Sequence, residues 1–325
     1  LKIIINLIFT LTFLIYPLSP ADYHKLILQK SFPDLASEEL GEFLAHPYDL
    51  DFYKGQYFLT DTTEGCIKVF SSEGKLVLTI GSKGLGPGEL SEPYCMAINE
   101  KNGILYCYDG SRRISCFSTG GKFLKILKTS LSIWDMEFCG NDLIATAYNE
   151  ATNSLLVTFD KEGNIQKFFG HRFDESINKL SPRYQMVLYG NASLDVYKDK
   201  IYVFYERLPF IQVYTKQGEL IRTIDINIKE VRKVYHINKN PKPKGARMGI
   251  RSWLQGACVS EDSIYCFSPF NIKALVVINH EGKLLDKMSF DNENEDWLIM
   301  QKFIKRINDS YIFIDVENSQ VKIYH

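Results

Sequence analysis

Gly55-Gln-Tyr-Phe-Leu-Thr-Asp61 is a strand of alternating aromatic and branched residues, opened by a turn glycine and closed by an aspartate. It returns as Gly103-Ile-Leu-Tyr-Cys-Tyr-Asp109, Asp142-Leu-Ile-Ala-Thr-Ala-Tyr148, Asp199-Lys-Ile-Tyr-Val-Phe-Tyr205, Asp262-Ser-Ile-Tyr-Cys-Phe-Ser268 and Asp309-Ser-Tyr-Ile-Phe-Ile-Asp315. The copies lie roughly 40 to 60 residues apart, the spacing at which one repeat is one supersecondary unit. A second short strand follows each copy, for example Cys66-Ile-Lys-Val-Phe70 and Val321-Lys-Ile-Tyr324. In five copies a tight turn comes next, at Ser72-Glu-Gly-Lys75, Thr119-Gly-Gly-Lys122, Lys161-Glu-Gly-Asn164, Lys216-Gln-Gly-Glu219 and His280-Glu-Gly-Lys283, where glycine supplies positive φ.

A third strand leaves each turn, and another precedes each copy, as in Tyr48-Asp-Leu-Asp-Phe52 and Tyr94-Cys-Met-Ala-Ile98. Four antiparallel strands, six times over, make an all-β chain, a six-bladed β-propeller. The sixth repeat stops at His325 after its third strand, and His24 to Phe32 supplies a strand at the other end of the chain. The expected closure is therefore an N-terminal strand completing the last blade, which removes open edges.

The pattern of strand, Asp, hairpin strand ending in Val69-Phe70, then Glu-Gly-Lys resembles the six-bladed propellers of the NHL-repeat and related bacterial exported families. The connection Gly81-Ser-Lys-Gly-Leu-Gly-Pro-Gly-Glu-Leu-Ser-Glu-Pro93 resembles their blade-to-blade loop, with a shorter echo in Gly41-Glu-Phe-Leu-Ala-His-Pro47. Tyr148, Tyr205 and Ser268 depart from it, standing where the blade Asp is expected. Such families include binding scaffolds and enzymes, so the resemblance does not choose an activity.

Of the 325 residues, 45% are hydrophobic and 13% aromatic, enough for a large core. Lys plus Arg number 38 against 39 acidic residues, which argues against a dedicated nucleic-acid binder. The apolar run Ile3 to Tyr16, followed by Ser19 and Ala21, reads as a signal peptide over 1–21, with the propeller over 22–325. The run is short for a membrane span. The expected location is periplasmic or extracellular, and the processed chain is not an integral membrane protein. Seven cysteines cannot all pair; Cys107 and Cys266 read as core residues, and the spacing of Cys107 and Cys116 across one hairpin disfavours a disulfide between them.

The resemblance places ligand sites on the face where blade-to-blade connections meet the loops between second and third strands. His46, Tyr48, Glu92, Tyr94, Trp134, Tyr189, Arg251, Trp253 and Trp297 are the candidates there, an aromatic mouth suited to a protein, peptide or carbohydrate. The glycines of 81–93 read as turn formers, not a phosphate cradle, because no helix follows. Residues 229–251 carry eight Lys or Arg against Glu230 and read as a polar flap, complementary to the acidic 291–296. No cofactor is called for. The competing expectation is a metal-dependent hydrolase or lyase, with His46, His171 and His236 as a zinc set or Asp49, Glu92, Asn191 and Asp195 as a calcium set.

Overall fold

The computed structural model describes residues 24–34, 41, 43–149, 151–240, 250–270, 272–290 and 301–325. The 1–21 leader, the acidic 291–296 segment and Trp297 lie outside them.

Six blades of four antiparallel strands surround one axis, and a short parallel strand adds a fifth to blade 5. Blade 1 runs from its innermost strand Pro47–Tyr53 through Gln56–Asp61 and Cys66–Ser71 to its outer strand Leu76–Ile80. The innermost strands of blades 2 to 6 are Cys95–Asn99, Asp135–Cys139, Ala192–Tyr197, Ala257–Val259 and Gln301–Ile307. Every copy of the repeated stretch is the second strand of its blade, and each is deeply buried because both sheet faces meet a neighbour. The core is accordingly split into six clusters, each drawn from two successive blades. One of them joins blade 6 to blade 1 through Ile312, Ile314, Leu59 and Phe70, which closes the ring.

The closing strand is Leu28–Phe32, antiparallel to Gln320–Tyr324 as the outermost strand of blade 6. Just before it, Lys25–Leu26 pairs in parallel with Ser289 and Phe290 at the end of blade 5's outer strand. The N-terminal segment thus ties two blades together, and Leu26 is buried between them.

The recurring turn glycine has a second reason to be glycine. Gly74 has φ +82°, and a Cβ there would stand 2.7 Å from Phe32 of the closing strand. Gly163 meets Leu127 at 2.6 Å, Gly218 meets Phe169 at 2.8 Å and Gly282 meets the Asp225 carbonyl at 2.7 Å. Each turn therefore packs against the outer strand of the blade before it, at a distance only a bare Cα permits.

The aspartate that ends the repeat is buried and paired. Asp109 meets Arg113 at 2.6 Å, Asp315 meets Lys322 at 3.0 Å and Asp61 meets Lys68 at 3.6 Å. Asp61 also accepts the N–H groups of Ala45, His46 and Glu64, and Asp109 those of Ser91 and Ser111, so these two fix both their own turn and the arriving connection, while Asp315 accepts the Asn318 N–H of its own turn. The Arg113 guanidinium reaches on to the carbonyls of Gly84 and Glu89, while the Glu89 carboxylate accepts the Gly86 N–H. The donors of the Gly-rich loop are thereby held inside the protein, in keeping with turn geometry. Where Tyr205 replaces the aspartate, its hydroxyl donates to Gln212 instead.

One expectation is corrected. Residues 229–239 do not lie as a polar flap: Lys229–Lys239 is an amphipathic helix that buries Val231, Val234, Tyr235 and Asn238. Counting α1 as Glu175–Asn178 and α2 as Pro182–Gly190, this helix is α3. Asp174 caps α1, its N–H donates to Tyr189 of α2, and Tyr235 of α3 donates to its carboxylate, so the three helices form one packed group. Asn238 anchors the far end of α3 to the backbone of Arg207 and Arg251. Cys107 and Cys266 are core residues as expected; all seven cysteines are buried and none is in a disulfide. Cys107 lies opposite Ser115 and Cys116 opposite Tyr106, so that one-residue offset sends the two thiols to opposite faces of the sheet.

Candidate functional site

The blade-to-blade connections of blades 3 and 4 carry α1, α2 and α3, which raise one side of the face that holds His46. At its centre the channel opens as a cavity of about 350 Å³. Its walls are the innermost strands, whose alternate residues point to the axis. Blade 1 contributes Asp49 and Asp51, blade 3 Asp135 and Glu137, blade 4 Asp195, and blade 6 Lys305.

Most of these carboxylates stitch one blade to the next. Asp49 accepts the Met96 N–H at 2.9 Å and Asp51 the Ile98 N–H at 3.2 Å. Asp135 accepts the Leu194 N–H at 2.7 Å, and Asp195 the Val259 N–H at 2.6 Å. Lys305 completes the circuit by donating to Asp51 at 2.9 Å. Burial lifts the Asp195 carboxyl to about 6, against the pull of Lys305, and burial holds Glu137 well above the usual carboxylate range. Asp51 foremost keeps the Lys305 ammonium charged.

At the rim, His46, Tyr48 and Trp134 line the opening together with Glu206, Asn191 and Phe270. The Tyr48 and Tyr94 rings meet edge-on with centroids 5.3 Å apart. The Tyr94 hydroxyl donates to Glu92 at 2.7 Å, and that bond, with burial, pushes the phenol up to about 12. His46 Nδ1 lies 2.9 Å from the Thr62 hydroxyl. Trp134 is 47% and Phe270 43% exposed, large apolar surfaces for residues at a cavity edge.

His46, Tyr48 and Trp134 line this opening, while Tyr94 and Glu92 stand behind Tyr48 and do not line it. Nor do Tyr189 and Trp253: each is 1% exposed, and both belong to the core. The Trp253 indole N–H donates to the carbonyls of Tyr205 and Leu208, and its ring packs between blades 4 and 5. Tyr189 packs on Phe173 and Tyr205. Arg251 is exposed but away from the cavity lining. Lys229, Arg232, Lys233 and His236 line a separate groove along α3. The histidines of the zinc set are dispersed, His46 at the mouth, His171 beside the Asn153 carbonyl and His236 on α3. Among the described residues no group of three His, Cys, Asp or Glu is arranged to hold a metal.

Sequence reasoning missed Asp51, Asp135, Glu137, Lys305 and Phe270. The signal was the alternation Asp49-Leu-Asp51 and Asp135-Met-Glu137 in first strands, where period two puts both acids on the axis side.

The chain belongs to a family described as 6-bladed beta-propeller, whose model matches residues 41–204. No curated protein matches it significantly. Among solved structures it is similar to a protein of Bacteroides fragilis described as exported, at 10% identity and TM-score 0.58, covering 93% of this chain and 94% of that one. A virginiamycin B lyase from Staphylococcus aureus is similar at 11% identity and TM-score 0.54, covering 86% and 94%. The WD40 domain of Neurospora crassa Pan2 is similar at 8% identity and TM-score 0.50, covering 86% and 74%. At such identities the likeness is one of fold. No helix among the described residues is long and apolar enough to cross a membrane.

Proposed function

We propose that the chain is an exported, non-catalytic binding module that docks a protein, peptide or glycan on the channel mouth. The observation that carries this is the pair of exposed rings, Trp134 and Phe270, at the rim of a cavity whose walls are cross-linked from blade to blade. A rigid wall keeps the ordering cost of docking low, and exposed aromatics supply contact area with few rotatable bonds. The similarity to a Bacteroides fragilis protein described as exported supports the location.

The test is a screen of the labelled chain, lacking residues 1–21, against peptide and glycan arrays, repeated with the double variant Trp134→Ala, Phe270→Ala. Hits that vanish in the variant support the site; hits that persist overturn it. Loss through unfolding is separated by near-ultraviolet circular dichroism, which the variant should leave native.

A further inference from the structure

The channel holds more carboxyl groups than its architecture uses. Asp49, Asp51, Asp135 and Asp195 each bind a backbone N–H of the next blade. Glu137 binds none: among the described residues its carboxylate accepts no hydrogen bond, and Lys305, which acts on it through space, makes its ion pair with Asp51 instead. Lys305, the one Lys or Arg among the described lining residues, is engaged by Asp51 at 2.9 Å. Gln255 Oε1 and Ser193 Oγ, on residues of the same wall, are enclosed and find no partner. A deep carboxyl with no hydrogen bond is costly to ionise, and that cost falls when a cation arrives.

The rim adds the second half of the pattern. Trp134 and Phe270 flank the opening. About 350 Å³ is at the small end for ligand cavities and accommodates one long side chain better than a chain of sugars. An anionic wall also repels acidic glycans.

We propose that the mouth receives a lysine or arginine side chain from an extended peptide segment, its charge reaching Glu137 and its neighbouring residues lying against Trp134 and Phe270. This rests on the docking reading above and names the partner's chemistry. The aliphatic stem of such a side chain covers the aromatic rim while its head enters the polar interior. The cation passes the indole face on the way, an attractive approach. Glu137 faces Asp51, Asp135, Asp195 and Lys305, so its ionisation is the one that an incoming cation most favours.

The experiment uses pentapeptides with a central arginine, lysine, norleucine or glutamate flanked by leucines, titrated into the chain lacking residues 1–21 and followed by calorimetry. The arginine or lysine peptide is expected to bind about tenfold or more tighter than the norleucine peptide, the worth of one charge-assisted bond, and the glutamate peptide weakest. Glu137→Gln keeps the side-chain shape and should erase most of that preference while leaving the melting temperature near that of the parent. Equal affinity for arginine, lysine and norleucine, or an unchanged preference in Glu137→Gln, overturns the cation assignment. In either case, binding that is lost in Trp134→Ala leaves the docking reading standing. Array ligands that depend on Trp134, with no binding of any pentapeptide, also overturn the cation assignment alone; binding indifferent to Trp134 overturns the docking reading itself.

Discussion

At the scale of single residues, the ion pairs of this protein differ sharply in worth. Asp109 is fully buried and Arg113 nearly so, and the guanidinium also holds the carbonyls of the Gly-rich loop. Asp109→Asn leaves that guanidinium without a counter-charge and should cost about 3–5 kcal/mol in urea unfolding. Lys198 and Glu261 are 2.6 Å apart yet both exposed, so Lys198→Ala should leave the urea midpoint unchanged. Asp195 gives a pH signature. Its carboxyl binds a proton more readily when folded, at about 6, than when unfolded, near 4. The folded state therefore carries more protons in that window, and this residue's contribution to stability falls as pH rises from about 4 to 6. Asp315 runs the opposite way: its carboxyl is lowered by Asn318 and Lys322, outweighing burial, so its contribution is lost as pH falls below about 4. Melting temperatures measured from pH 4 to 7 should fall less steeply toward pH 7 in Asp195→Asn than in the parent; an identical slope would show that Asp195 does not titrate there.

At the scale of elements, the strands were legible and the helices were not. The second strands announced themselves because Phe58, Phe204 and Phe313 alternate with small or branched residues between sheet partners on both faces. The segment 229–239 looked like a flap because its cations dominate the composition. Read at helical spacing, Val231, Val234, Tyr235 and Asn238 form one face, and that face is the buried one. Trp253 misled for a related reason: an aromatic beside an exposed Arg251 reads as a rim residue, but two carbonyls receive its indole N–H and draw it into the core. Trp253→Ala should thus lower stability by about 3–5 kcal/mol, read as an earlier denaturant midpoint, rather than removing a ligand contact alone. Gly218→Ala tests the turn. It combines a φ of +80° with a Cβ 2.8 Å from the Phe169 ring, so the blade 4 turn must withdraw from blade 3. The expected loss is about 1–3 kcal/mol, larger than for Gly55→Ala, which has a similar φ but open space.

At the scale of the whole molecule, the acidic channel is a product of ring closure, which is why it was the least readable part of the site. Asp51, Glu137 and Asp195 are separated by dozens of residues and each looks like an ordinary strand acid; only the ring brings them to one axis with Lys305. Closure itself depends on a short segment at the opposite end of the chain. Leu28–Phe32 completes blade 6, Phe32 fills the cluster shared with blade 1, and Lys30 donates to the Ser72 carbonyl of blade 1 at 2.8 Å. Lys25–Leu26 simultaneously extends blade 5, with Leu26 in the cluster between blades 5 and 6. Removing residues 22–33 would expose the edge of blade 6 and uncover two of the six clusters at once. Because Lys305 and Asp51 face each other across that junction, the loss should reach the channel as well as the rim. The expected outcome is a less cooperative unfolding transition, with hydrogen exchange accelerated first in Gln320–Tyr324 and Pro47–Tyr53 and last in blades 2 to 4. Phe32→Ala, which keeps the strand, should retain the single transition and shift it by about 3–5 kcal/mol. If the truncated chain instead unfolds in one step with protection uniform around the ring, the closing strand is an accessory and the blades are held by their inner stitching alone.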